Sequence, residues 1–142
     1  MSTEVIVYVL TALAALVLVL TRLRLGRDEG HAGRLHIPSG LLNVHTGVGA
    51  VALVLWLLFL VAGDSFSDNT AGILGVVALA LWWVVVVAGL LILVRWLPTR
   101  GRHAAEGRED SWSDGPGLSI LAHVGMFVGV AVFTWAYLIN AV

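Results

Sequence analysis

The sequence predicts an all-α fold: an integral membrane four-helix bundle of two helical hairpins, with both termini on the extracytoplasmic side. Composition is the first observation, because 59% of the 142 residues are hydrophobic and only 12% are charged, as is typical of membrane proteins. The second observation is that four apolar stretches reach or approach the length of about 20 residues that a transmembrane helix needs. The chain is interpreted as a single membrane domain, 1–142, with helices predicted over about 5–20, 41–62, 71–97 and 118–139.

Arginine positions predict the orientation, because cytoplasmic loops collect basic residues. The second loop, 63–70, contains Asp64 and Asp68 but no basic residue, whereas all eight arginines lie in or beside the first and third loops. These two loops are therefore expected on the cytoplasmic side of a multi-pass cell-membrane protein in contact with the lipid bilayer. Lysine is absent beside eight arginines, while Ala, Val, Leu and Gly are abundant, which is typical of a GC-rich bacterial genome. We therefore expect a bacterial inner membrane.

Helix 1 contains no residue to which we assign chemistry. Thr11 is the only polar residue of its interior, and no basic residue precedes the apolar run, as one would in a secretory signal peptide. The basic residues Arg22, Arg24 and Arg27 follow the run instead and are expected in the loop. We therefore expect a retained membrane helix, and no helix with internal arginines of the kind that a voltage sensor carries.

Helix 2 contains a histidine within its first turns. His45 is followed four residues later by Gly49, so the two residues share one helix face. Small residues let a neighbouring helix or a flat ligand approach closely. Gly49 is therefore interpreted either as part of a cofactor site beside His45 or as an ordinary helix-packing position.

Helices 3 and 4 differ in what they carry. Helix 3 is longer than a hydrocarbon core of about 30 Å requires. Its central Trp82 and Trp83 are predicted to pack inside the bundle, either as ordinary packing residues or as the wall of a cofactor site. Helix 4 repeats the His-x-Gly order of helix 2 at His123. Met126 and Phe127 follow this histidine by three and four residues, so both are expected on its face and at the edge of a bound cofactor.

His45 and His123 are predicted to be the two metal ligands of one haem b. Helices 2 and 4 run in the same direction, so the two rings are expected at similar depth near the cytoplasmic face. An ionisable side chain inside a membrane is costly and indicates a functional site, and two imidazoles on facing helices have the arrangement that bis-histidine haem ligation needs. Arg34 and Arg102 are expected to pair with the haem propionates.

Other roles for the histidines compete with this interpretation. The intramembrane pair can instead hydrogen-bond to Asn43, to Ser119 or to a carbonyl across a helix interface, or can serve a non-haem metal or a proton relay. His36 and His103, in the loops, are either solvated or form a second site for another haem or for a quinone head group.

The helix count and the two intramembrane histidines resemble small four-helix cytochrome b proteins and the haem-bearing membrane anchors of quinone-linked oxidoreductases. We predict a respiratory-chain type of electron transport: a membrane b-type cytochrome or haem-bearing subunit that exchanges electrons with a quinone or a cytoplasmic redox partner. It has no catalytic residue of its own and is at most an electron-transfer subunit of an oxidoreductase. The alternative is a cofactor-free accessory or assembly subunit of a larger membrane complex.

Composition excludes several other classes. The chain has no cysteine, so it cannot ligate an iron–sulfur cluster or form a disulfide. A net charge of −1 argues against a nucleic-acid partner, whereas a homo-oligomer is compatible with the sequence.

Overall fold

The computed structural model describes residues 2–27, 38–94 and 117–142. Within these ranges 93% of the residues are helical and no strand occurs, which confirms the all-α prediction. The helices are α1 Thr3–Arg27, α2 Ser39–Ala62, α3 Asp68–Leu93 and α4 Gly117–Leu138.

Each of the four helices is long and apolar enough to cross a membrane. Their outer faces expose large apolar side chains, with Val61, Leu121 and Leu138 all more than 70% exposed. A water-soluble protein rarely exposes apolar surface so extensively. The helices are therefore compatible with lipid contact and indicate a multi-pass membrane protein, as the sequence predicts.

The helices form an up-and-down bundle in which each packs on two neighbours, in the closed order α1, α2, α3, α4. The Tyr8 hydroxyl near the start of α1 donates a hydrogen bond of 3.1 Å to the carbonyl of Leu60 near the end of α2. The Tyr137 hydroxyl at the end of α4 likewise donates to the carbonyl of Gly72 at the start of α3. Sequential helices are therefore antiparallel, and the diagonal helices α2 and α4 run in the same direction.

The connection between α2 and α3 is short and ordered by its own hydrogen bonds. A 3₁₀ turn, Gly63–Ser65, follows α2 directly. Ser67 then caps α3, since its hydroxyl oxygen accepts a hydrogen bond from the backbone N–H of Thr70, as Ser does at many helix starts. This turn keeps α2 and α3 together as a tightly packed hairpin.

Aromatic rings fill one half of the bundle. The Phe133 ring stacks on Trp56 with centroids 5.1 Å apart and lies 6.2 Å from the Trp82 ring. The stack continues from Trp56 to Phe59 and from Phe59 to Tyr137. Trp82 thus packs inside the bundle as its position in helix 3 predicts, and this half is dense with rings, which prefer such offset and tilted contacts.

Helix α1 continues through the arginines that the sequence analysis expected in a loop. Arg22, Arg24 and Arg27 all lie within α1, so the expectation that no helix contains an arginine is wrong. Leucines alternate with these arginines in the last turns, and long basic side chains can bury their stems against a helix surface while their charged heads reach polar surroundings.

Candidate functional site

The two intramembrane histidines meet at one end of the bundle. We call it the histidine end: here α1 ends, α2 and α4 begin, and α3 ends. His45 and His123 are 2% and 5% exposed, and their ring centroids are 6.2 Å apart with an interplanar angle of 51°. Because α2 and α4 are diagonal in the bundle, the rings face each other across its centre.

Gly89 of α3 lies against both rings. A Cβ atom at this position would be 2.7 Å from Cδ2 of His123 and 3.6 Å from Nε2 of each histidine. Both Nε2 atoms therefore lie toward the same point on the α3 backbone. A side chain here would occupy the space beside the two nitrogens, so the absence of one is what allows this arrangement.

The orientation of the His123 ring is fixed by its own helix. Its Nδ1 lies 2.8 Å from the backbone carbonyl oxygen of Ser119, one turn earlier. A carbonyl oxygen can only accept, so Nδ1 carries the proton and donates it. In the neutral ring Nε2 then carries the lone pair, and metal-binding histidines commonly use such an Nδ1–H···O=C bond to set the tautomer and orientation.

His45 leaves a buried polar atom unsatisfied. Within the described ranges, Nδ1 of His45 has no hydrogen-bond partner, and the same holds for the indole nitrogen of Trp82 and the hydroxyl of Thr46. The amide of Asn43, a candidate partner from the sequence, instead accepts a 3.0 Å hydrogen bond from Arg22. A buried polar group without a partner is expensive. This unsatisfied atom is not the nitrogen of His45 that lies toward Gly89, which is Nε2.

Comparisons with known proteins give this site no precedent. No protein family, no curated protein and no solved structure matches the chain.

A groove of about 490 Å³ between α1 and α4 opens beside His123. Most of its wall is apolar and comes from one face of each helix. Its polar members are Thr21, Arg24, Ser119 and His123, all at the histidine end. The groove is therefore apolar along most of its length and polar at one end, which we call the groove head. This form suits an amphiphilic molecule.

Arg24 is the functional candidate that the sequence analysis missed. It is 8% exposed and lines the groove, whereas Arg22 is exposed and bonds to Asn43 on α2. Two residues along a helix differ by about 200° in direction. That spacing indicates that the two arginines leave α1 on opposite faces, although it does not say which face is buried.

The remaining residues predicted for the site fall in three places. Gly49 is buried against α1, and a Cβ there would collide with Cδ1 of Leu18. Met126 is buried and lines the groove, whereas Phe127 is 44% exposed and packs edge-on against Trp83. The predicted residues that lie outside the described ranges are Arg34, His36, Arg102 and His103.

The separation of the two rings fits a shared iron. Axial imidazoles on one metal place their nitrogens about 4 Å apart, twice a bond of about 2 Å, and hence their ring centroids roughly 6 Å apart. The observed 6.2 Å agrees with this value. The residues present therefore fit haem: two facing imidazoles with a glycine at their edge. A largely apolar groove with a basic residue at one end lies beside His123, although His45 does not line it.

Proposed function

We propose that this protein is a membrane b-type cytochrome or haem-bearing subunit, in which His45 and His123 would hold a haem b. The observation that carries the proposal is the pair of buried rings facing each other at 6.2 Å. The tautomer of His123 supports it, since the hydrogen bond to Ser119 leaves Nε2 as the atom with the lone pair. When bound, the haem supplies one-electron redox chemistry, and the protein orients and shields it.

A haem suits these ligands better than a bare metal ion does. Within residues 2–27, 38–94 and 117–142, no group of three His, Cys, Asp or Glu side chains is close enough to hold a metal ion. Two imidazoles alone leave a transition metal without most of its donors, whereas a porphyrin brings the equatorial donors itself. The surrounding apolar helices would also exclude water from the iron.

The arginine-rich loops are expected on the cytoplasmic side, so both termini would be outside and the haem would lie near the cytoplasmic face. There it would exchange electrons with a quinone in the bilayer or with a cytoplasmic redox partner. The chain would act as an electron-transfer subunit or small carrier of a bacterial inner membrane and not as a complete enzyme.

The test is an absorption spectrum of the purified protein. We expect a Soret band and an α-band in the reduced-minus-oxidised difference spectrum, with both bands lost in His45→Ala and in His123→Ala. Matched controls are Val44→Ala and Val124→Ala, because each replaces an exposed neighbour of one histidine. Both controls should keep the full haem-to-protein ratio.

Two results would overturn the proposal. One is a wild-type protein that stays colourless after incubation with haem in detergent or lipid. The other is a bound haem whose spectrum survives both histidine substitutions. Either result would favour the alternative, a cofactor-free accessory subunit, which should then co-purify with a larger membrane complex in mild detergent.

A further inference from the structure

The groove between α1 and α4 has a single fully charged side chain among its lining residues, and this side chain is buried. Arg24 lies at the histidine end with His123, Thr21 and Ser119, while the rest of the groove wall is apolar. Two of the guanidinium nitrogens, Nε and one Nη, have almost no solvent exposure. The groove thus combines a buried cation, a nearby imidazole and a long apolar wall.

A guanidinium in such surroundings selects a carboxylate. Electrostatic attraction strengthens as the local dielectric constant falls, and the planar fork of arginine matches a carboxylate in bidentate geometry. Haem is an amphiphile of this form, because a flat apolar macrocycle carries propionate carboxylates at one edge. Its apolar body suits the groove wall, and its carboxylates suit the groove head.

We propose that Arg24 binds a haem propionate at the head of the α1–α4 groove. The inference rests on the proposed haem ligation by His45 and His123 and adds α1 to the helices that form the cofactor site. It assigns the propionate contact to a membrane-embedded arginine, in addition to the loop arginines that the sequence suggested. Arg24 would set haem affinity and raise the reduction potential, because a nearby positive charge favours the more negative, reduced haem.

The experiment is a double-mutant cycle in which one change is made on the cofactor. Apoprotein is titrated with haem b and, separately, with haem dimethyl ester, whose propionates cannot ionise. The variants are wild type, Arg24→Gln and the matched control Arg22→Gln, which removes an exposed arginine two residues away on the same helix. Arg24→Lys, which keeps the charge but loses the fork, is included in case the glutamine variant folds poorly.

We expect Arg24→Gln to weaken haem b binding about 10- to 100-fold, the range for losing a charge-assisted hydrogen bond. The same substitution should leave binding of the dimethyl ester within about twofold of wild type, far below the tenfold that 1.4 kcal/mol produces. Arg22→Gln should change neither affinity. Arg24→Lys should fall between wild type and Arg24→Gln, and the midpoint potential of the haem b complex should be lower in Arg24→Gln.

Two results would overturn this inference while leaving the proposed function intact. In one, Arg24→Gln binds haem b as tightly as wild type does. In the other, the substitution weakens haem b and the dimethyl ester equally, which indicates a structural role only. A wild-type protein that binds neither porphyrin overturns the proposed function itself, so the two failures are distinguishable.

Discussion

Replacing Gly89 with alanine places a methyl group between the two histidine rings. The added Cβ would lie 2.7 Å from Cδ2 of His123, whereas carbon atoms in contact are normally about 3.5–4.0 Å apart. The ring must therefore move by roughly 1 Å. That movement would disrupt the 2.8 Å hydrogen bond from Nδ1 of His123 to the carbonyl of Ser119.

The expected change in stability has two destabilising terms and one stabilising term. Overpacking in a filled core costs about 1–3 kcal/mol, and loss of the hydrogen bond adds about 1 kcal/mol. A gain in helix propensity of about 1 kcal/mol offsets part of this, because alanine favours helix more than glycine does. The steric cost does not depend on the solvent, so it applies in a membrane as it does in water.

Control variants separate the steric term from the propensity term. Gly47→Ala and Gly125→Ala make the same change on α2 and α4, where an added Cβ meets nothing within 4 Å. We expect Gly89→Ala to be about 2–4 kcal/mol less stable than these controls in detergent unfolding, and to retain less haem per protein. A Gly89→Ala protein with the stability and Soret absorbance of the controls would refute the described packing of His123.

Three further substitutions test other contacts. Ser119→Ala should leave the haem content unchanged and alter the free energy of unfolding by less than about 0.5 kcal/mol, because His123 bonds to the backbone carbonyl at this position. A large loss of haem affinity in a spectral titration would show that the hydroxyl matters instead. Gly49→Ala should lower the melting temperature without altering the spectrum, and adding Leu18→Ala should recover part of the loss; a spectral shift in the single variant would place Gly49 at the cofactor. Phe133→Ala should destabilise the bundle by about 1–3 kcal/mol in chemical unfolding. The same change in a water-soluble core costs about 3–5 kcal/mol, and the loss is smaller here because lipid also solvates the exposed apolar surface. An unchanged stability would refute the aromatic stack as a packing element.

Hydropathy was sufficient to predict four membrane-length helices, because a membrane imposes their length and composition, but it did not predict that α1 continues to Arg27. It also predicted that His45 and His123 lie at one level, since the helices that carry them run in the same direction. A prediction that the two rings lie against each other also requires the order of the helices in space. The structure supplies it by placing α2 and α4 on a diagonal.

The parts of the site that the sequence analysis missed come from the other two helices. Gly89 lies on α3 among Val, Ala and Leu residues, and nothing local distinguishes a glycine that faces a histidine from one that faces lipid. Gly49 shares a helix face with His45 as predicted, yet Leu18 of α1 contacts it. Arg24 was assigned to a loop because charge was assumed to end the membrane helix. Leu23 and Leu25, which alternate with the arginines, were the signal that the helix continues past residue 20.

The position of the aromatic stack has a consequence for how the protein is assembled. The rings from Trp82 to Tyr137 pack the bundle in the half remote from the histidines. The glycine contact and the polar end of the groove lie at the histidine end. If the protein binds haem as proposed, these aromatic contacts do not involve the haem, so the bundle would form on them before haem binds. Haem binding would then be a separate, later step, in which the haem enters the folded bundle from the lipid between α1 and α4.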